Sequence, residues 1–210
     1  SSSMARTRPV GRATTLLGSG RKCLKQRIYT GPNLSTIGPS VVVMNTNTYV
    51  LVPGFWLGAA VWSAVADRLR ARGHVVHAVA LTGMGDRAHL ATPGTDLTTH
   101  IEDVVRVLEQ HDLHDVVLVG HSYGALVTTG AADRVPGRVA RLVYVDSGPL
   151  PEGLSQADFE GPAARAANEE LVTTHGQGWL LPPPPWAELA AGVPGVDDTV
   201  VATLVEDSRP

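Results

Sequence analysis

The sequence predicts an α/β fold, a doubly wound and mostly parallel sheet with helices on both faces. Three observations carry that expectation. From residue 48 onward, short β-branched runs alternate with segments whose apolar residues recur at helical spacing. The run 115–119 (DVVLV) is almost continuously apolar, the pattern of a strand covered on both sides. Strands separated by segments long enough to cross over as helices give parallel neighbours joined by right-handed connections.

Taken in order, residues 48–52 form the first strand, which ends at Pro53-Gly54. Residues 60–72 place Val61, Val65 and Leu69 four apart, and Gly73 closes that helix. Residues 74–81 (HVVHAVAL) form the second strand, and a glycine-containing loop runs from there to Asp96. Residues 97–111 carry Ile101, Val104, Val105 and Leu108 on one helical face. The third strand is 115–119, broken sharply at Gly120 before a helix over 123–134, and 139–145 is the fourth strand. After Asp146 the pattern dissolves into Gly, Pro, Ala and acids, with four consecutive prolines at 182–185, and is expected to be a loop or lid outside the core.

The 210 residues, 43% hydrophobic and 18% charged, suit one globular domain and exclude a charge-rich disordered chain. No stretch approaches the roughly 20 apolar residues of a membrane span. The single cysteine, Cys23, can neither close an internal disulfide nor hold a metal alone, which points to a cytoplasmic protein. The net charge of −3 hides a break: residues 1–43 hold seven Arg or Lys and no acid, whereas the rest holds ten Arg against twenty acids. Three origins for residues 1–43 stand open: an upstream stretch read through from an earlier start, an organellar targeting peptide, or a basic arm. Residues 1–43 are therefore set apart from the fold, as a basic extension.

The strongest chemical signal is Gly120-His121-Ser122-Tyr123-Gly124, a G-x-S-x-G between a buried strand and a helix. A turn that tight holds the serine in a strained conformation and needs flanking glycines, because a Cβ there would strike neighbouring backbone. It lifts the Ser122 hydroxyl above the sheet's C-terminal edge. It also aims the N–H of Tyr123, at a helix start, toward a developing oxyanion. The loop after the first strand, Pro53-Gly54-Phe55-Trp56, offers the Phe55 N–H as second donor, and its aromatic pair would dry the pocket.

From Tyr49 to Gly153 the motifs PGFW, LTGMGDRAHLATPG, TTHIEDVV, VLVGHSYGALV and LVYVDSGPLPEG resemble the serine α/β-hydrolases. The resemblance is to the branch that includes bacterial carboxylesterases, plant methylesterases and hydroxynitrile lyases. It covers about half the chain and implies Ser122 as nucleophile with Phe55 and Tyr123 as oxyanion donors. Pro53 departs from the histidine common at the start of that loop, which works through its backbone. The lyases carry threonine at the position of Gly54, so Gly54 favours ester hydrolysis.

In this fold an acid and then a histidine follow the serine in chain order. His175 is the one histidine after Ser122, and Asp146 ends the fourth strand, so Ser122, Asp146 and His175 formally complete the order. His175 lies in THGQGW, a lid-like segment, and the branch takes its acid from one strand later. The resemblance therefore places the acid and histidine in further strand-helix units beyond Pro210, on a chain that would here be C-terminally truncated. A serine with its oxyanion hole retains roughly 10³ to 10⁴-fold over water without them.

Competing motifs are weaker. Gly83-Met84-Gly85-Asp86-Arg87-Ala88 fits a dinucleotide pattern, with Glu102 and Asp103 about 20 residues on, but a phosphate site needs a helix starting at those glycines, and Pro93-Gly94 stops one. Arg87 and His89 are expected to fix that loop or line the pocket. His74 and His77 are expected on opposite strand faces and His111 with His114 at a helix end, so no metal site is expected. His121 supports the turn and, with Trp56, borders the substrate.

The expectations are a basic extension 1–43, a hydrolase core 44–149 and the start of a lid over 150–210. The expected function is hydrolysis of a small carboxylic ester without metal, cofactor, nucleic acid or membrane. The alternative is a ligand-binding relative that has lost catalysis, with a hydroxynitrile lyase or dinucleotide-binding protein behind it.

Overall fold

The computed structural model describes residues 46–208 apart from Gly192, so the expectations for residues 1–43 lie outside the described residues. Strands β1 (Thr48–Val52), β2 (Val75–Ala78), β3 (Val116–His121) and β4 (Val139–Val145) form one sheet in the order β2-β1-β3-β4, with every neighbouring pair parallel. Helix α1 (Ser63–Arg70) follows a 3-10 turn, Ala59–Trp62; α2 (Leu97–Gln110) and α3 (Gly124–Arg134) flank β3 in the chain.

The alternation of strand side chains sorts them into two cores. Val50, Val52, Val116 and Leu118 pack with Val104 and Leu108 of α2 and Val127 and Ala131 of α3. Leu51, Val117 and Val119 face the other way, against Trp62 and Ala66. Coverage of both faces is why β3 reads as an unbroken apolar run, and all five residues Val116 to Gly120 are buried. The start of α2 is fixed by Asp96, whose carboxylate accepts from the Thr99 N–H at 2.8 Å in a reciprocal capping box.

With α1 on one face and α2 and α3 on the other, the adjacent strands β1 and β3 feed connections that leave to opposite sides. The crevice beyond their C-terminal ends is where ligands bind in open parallel sheets. Residues 53–56 and 121–124 meet there.

Three expectations change. The helix predicted over 60–72 divides into the 3-10 turn and α1, and the second strand is shorter than residues 74–81, although the Val79 N–H still reaches the Leu51 carbonyl at 2.9 Å. Beyond Asp146 the chain is not a plain loop: it forms α4 (Gln156–Glu160), α5 (Pro162–His175), α6 (Trp186–Leu189) and α7 (Asp198–Asp207). These helices bury no residue fully, so they lack the apolar stripe that reveals a helix by periodicity. Local chemistry starts them instead: Ser155 and Asp197 cap α4 and α7, and Pro162 opens the alanine-rich α5.

Candidate active site

Ser122 sits between β3 and α3 with φ of +50°, in the left-handed region that a side chain occupies at a cost. Its N–H donates to the Val145 carbonyl at 3.1 Å, which ties the turn to the end of β4. The two glycines are required by contact. A Cβ on Gly124 would stand 2.6 Å from the Pro53 carbonyl oxygen and 2.7 Å from that of Val52, while one on Gly120 would collide with the Gly124 carbonyl. Backbone from β1 thus lies directly against the turn after β3.

Phe55 and Tyr123 come together from these two loops, their rings stacked with centroids 3.9 Å apart and planes 13° from parallel. Among the described residues, neither the Phe55 N–H nor the Tyr123 N–H donates a hydrogen bond to a protein group. Gly54 borders the same space, since a Cβ there would lie 3.2 Å from Ser122 Cβ and 3.0 Å from His121 Nδ1.

Behind Tyr123 lies a buried polar chain that the sequence reading missed. Tyr123 Oη and His100 Nδ1 are 2.8 Å apart, and His100 Nε2 is 2.8 Å from the Thr82 carbonyl. Because a carbonyl only accepts, Nε2 carries the proton and Nδ1 accepts from the Tyr123 hydroxyl. The Thr82 N–H and hydroxyl donate to the buried Asp103 carboxylate at 2.7 and 3.0 Å. Arg87 closes the chain, 3.3 Å from Asp103 and 2.7 Å from the Ala80 carbonyl, so its expected role in fixing this loop is the observed one. Burial lowers the affinity of His100 for a proton and pushes the Tyr123 hydroxyl well above the usual phenol range. The sequence signal for His100 was its place on the apolar stripe of α2, four residues before Val104.

Trp56 takes a left-handed conformation, φ +66°, held by a 3.0 Å hydrogen bond from its indole N–H to the Leu181 carbonyl. It lines two cavities. One, of about 170 Å³, lies between Phe55, Trp56, Met84, His100 and Trp179. The other, an open cleft of about 710 Å³, separates Phe55 and Trp56 from α4 and α5.

The remaining candidates are placed differently. His121, odd-numbered like Val117 and Val119, turns to the second core, its ring edge-on to Trp62 at 6.4 Å. Burial lowers its affinity for a proton, opposed by the nearby charge of Asp146. Asp146 is exposed at the end of β4 with φ +50°. His175 is exposed at the last position of α5, and among the described residues no hydrogen bond joins it to Ser122 or Asp146. Gly83 precedes and Gly85 opens a 3-10 turn, Gly85–Leu90, and not an α-helix; α2 begins only at Leu97. Among the described residues no three His, Cys, Asp or Glu are grouped to hold a metal, and no helix is long and apolar enough to cross a membrane.

A carbendazim hydrolyzing esterase of Nocardioides sp. (strain SG-4G) is 46% identical over 99 residues, covering 47% of this chain and 41% of that protein. Methylesterase 8 of Arabidopsis thaliana is 35% identical over 100 residues, covering 47% of this chain and 37% of its own length. The chain thus spans less than half the length of these curated relatives. The solved structure of an extracellular alpha/beta-hydrolase from a Paenibacillus species superposes with a TM-score of 0.64 at 26% identity, over 78% of this chain and 66% of that one. The alpha/beta hydrolase family matches residues 49–210, from the first strand through the four helices that follow the sheet. By that match, over most of its length, this chain belongs to the alpha/beta hydrolase family.

Proposed function

We propose that the protein hydrolyses a small carboxylic ester through Ser122, with water as second substrate and no metal or cofactor. The single observation that carries this reading is the strained Ser122 above the junction of β1 and β3, next to two stacked residues whose N–H groups have no described protein partner. The Ser122 hydroxyl attacks the ester carbonyl, forming a C–O bond as the carbonyl π pair moves onto oxygen. The Phe55 and Tyr123 N–H groups hold that oxyanion, with the start of α3 adding its positive end. Collapse expels the alcohol and leaves an acyl-serine, which water then cleaves.

The proton of Ser122 needs a base. His175 and Asp146 complete the chain order, but His175 has no described bond to either partner. We assign the working acid and histidine to the part of a longer protein that the relatives have and this chain does not span. Trp56 and the segment from residue 150 onward shape the pocket, and the cavity beside Phe55 receives part of the ester. With Cys23 the one cysteine in these 210 residues, we place the protein's work in the cytoplasm.

The second reading, a ligand-binding relative without turnover, draws on the same absence of a described base. Release of p-nitrophenolate from p-nitrophenyl acetate separates the two. In a protein long enough to carry the working acid and histidine, Ser122-dependent release, lost in Ser122→Ala, supports the hydrolase; release equal in both proteins overturns it.

A further inference from the structure

Resting on the reading that Phe55 and Tyr123 supply the oxyanion N–H groups, we infer that His100 is a positioning residue. Through the Tyr123 hydroxyl it fixes the ring on which Phe55 stacks, and so sets where both main-chain donors point. The direction of each hydrogen bond fixes the arrangement. The Thr82 carbonyl takes the His100 Nε2 proton at 2.8 Å, which leaves a bare Nδ1 as the one acceptor for Tyr123 Oη, also at 2.8 Å. Thr82 does not drift, because its N–H and its hydroxyl both go to Asp103, itself held by Arg87.

The His100 and Tyr123 rings meet edge to face, 5.6 Å apart at 84°, while Phe55 lies flat on the Tyr123 ring at 3.9 Å. Tyr123 is therefore clamped at its hydroxyl, its face and its main chain. The network ends on the residue that follows Ser122, whose N–H is one of the two oxyanion donors. His100 also walls the cavity beside Phe55, so the pocket and the donors share one anchor.

Protonation of His100 removes the acceptor at Nδ1 and leaves the buried Tyr123 proton without a partner. The charged groups facing His100 are Asp103 and Asp96, which favour its protonation, and Arg87, which opposes it together with burial. Protonated Nδ1 then donates to Tyr123 Oη, so toward acid pH the bond reverses and the hydroxyl proton loses its acceptor.

The test is the 1H–15N spectrum of the whole chain with the Phe55 and Tyr123 amides assigned, in wild type, Tyr123→Phe and His100→Gln. Tyr123→Phe keeps the ring and loses the donated proton; the expected result is a shift of both amide resonances. His100→Gln retains an acceptor for Tyr123 and an N–H for Thr82, and is expected to shift them less. Should either variant fail to fold, the wild type alone decides: both amides are expected to move with pH at the same midpoint as the His100 ring. Amides at 55 and 123 that ignore Tyr123→Phe and ignore His100 titration overturn the proposal, even if the thermal midpoint falls. In turnover, Tyr123→Phe is expected to lower kcat by roughly 10- to 100-fold with KM little changed, the scale of a misplaced oxyanion donor. The spectra do not depend on Ser122 chemistry, so moving amides in a protein that carries its acid and histidine and still never acylates would count against the hydrolase reading and not against the clamp.

Discussion

The rings of Phe55 and Tyr123 lie 3.9 Å apart and within 13° of parallel, joining the loop after β1 to the turn after β3. An aromatic pair contributes about 0.5 to 1.5 kcal/mol beyond the area it buries. Phe55→Leu, which keeps apolar bulk and loses the stack, is expected to cost about that much in urea unfolding. Its effect on Ser122 acylation is expected to exceed its effect on stability, because the loop it anchors carries an oxyanion donor.

Ser122→Gly should stabilise the chain while removing its chemistry. The left-handed conformation at φ +50° costs a side chain about 1 to 2 kcal/mol, and glycine's extra freedom when unfolded returns about 0.5 to 1 of that. The net expectation is a rise of roughly 0.5 to 1 kcal/mol in unfolding free energy, read by urea denaturation against wild type.

Gly124→Ala should do the opposite. Its Cβ would stand 2.6 and 2.7 Å from two carbonyl oxygens of main chain, which cannot rotate aside. Overpacking of that kind costs about 1 to 3 kcal/mol, and a lower thermal midpoint with a weakened β1–β3 junction is the expected outcome.

Gly54→Ala meets softer neighbours, the His121 ring at 3.0 Å and Ser122 Cβ at 3.2 Å. The fold is expected to absorb it with a small change in midpoint, while the approach to Ser122 narrows. Acylation by a bulky ester is expected to slow by more than that by an acetyl ester, measured as the ratio of their kcat/KM values.

Stability should fall on mild acidification. Burial places His100 and His121 below the ordinary histidine range near about 6.5, and burial with the facing charges of His111 and Arg70 does the same to His77. Between that value and the depressed ones the unfolded chain binds more protons, so unfolding free energy rises with pH there and is lost as pH falls through the window. Urea midpoints are expected to drop from pH 7 toward pH 5. In His100→Gln part of that slope should disappear.

The sheet was legible because its strands are punctuated by Pro53-Gly54, Gly73 and Gly120, and because β3 must be apolar throughout to be buried twice. The G-x-S-x-G turn was legible for the same reason: strand, turn and helix fix the serine without help from distant residues. His100 was not. Its role depends on Tyr123, 23 positions later, and on a carbonyl 18 positions earlier, contacts that no local periodicity encodes. Helices α4 to α7 stayed hidden because they bury no residue fully, so caps and alanine content, and not an apolar stripe, define them.

The central claim, a reactive Ser122 served by the Phe55 and Tyr123 N–H groups, is tested most directly by intact-mass labelling with a serine-directed phosphonate. The account predicts a single adduct on wild type, none on Ser122→Ala, and slower formation in Tyr123→Phe. Equal labelling of wild type and Ser122→Ala, or no labelling of a folded protein long enough to carry the working acid and histidine, would contradict it.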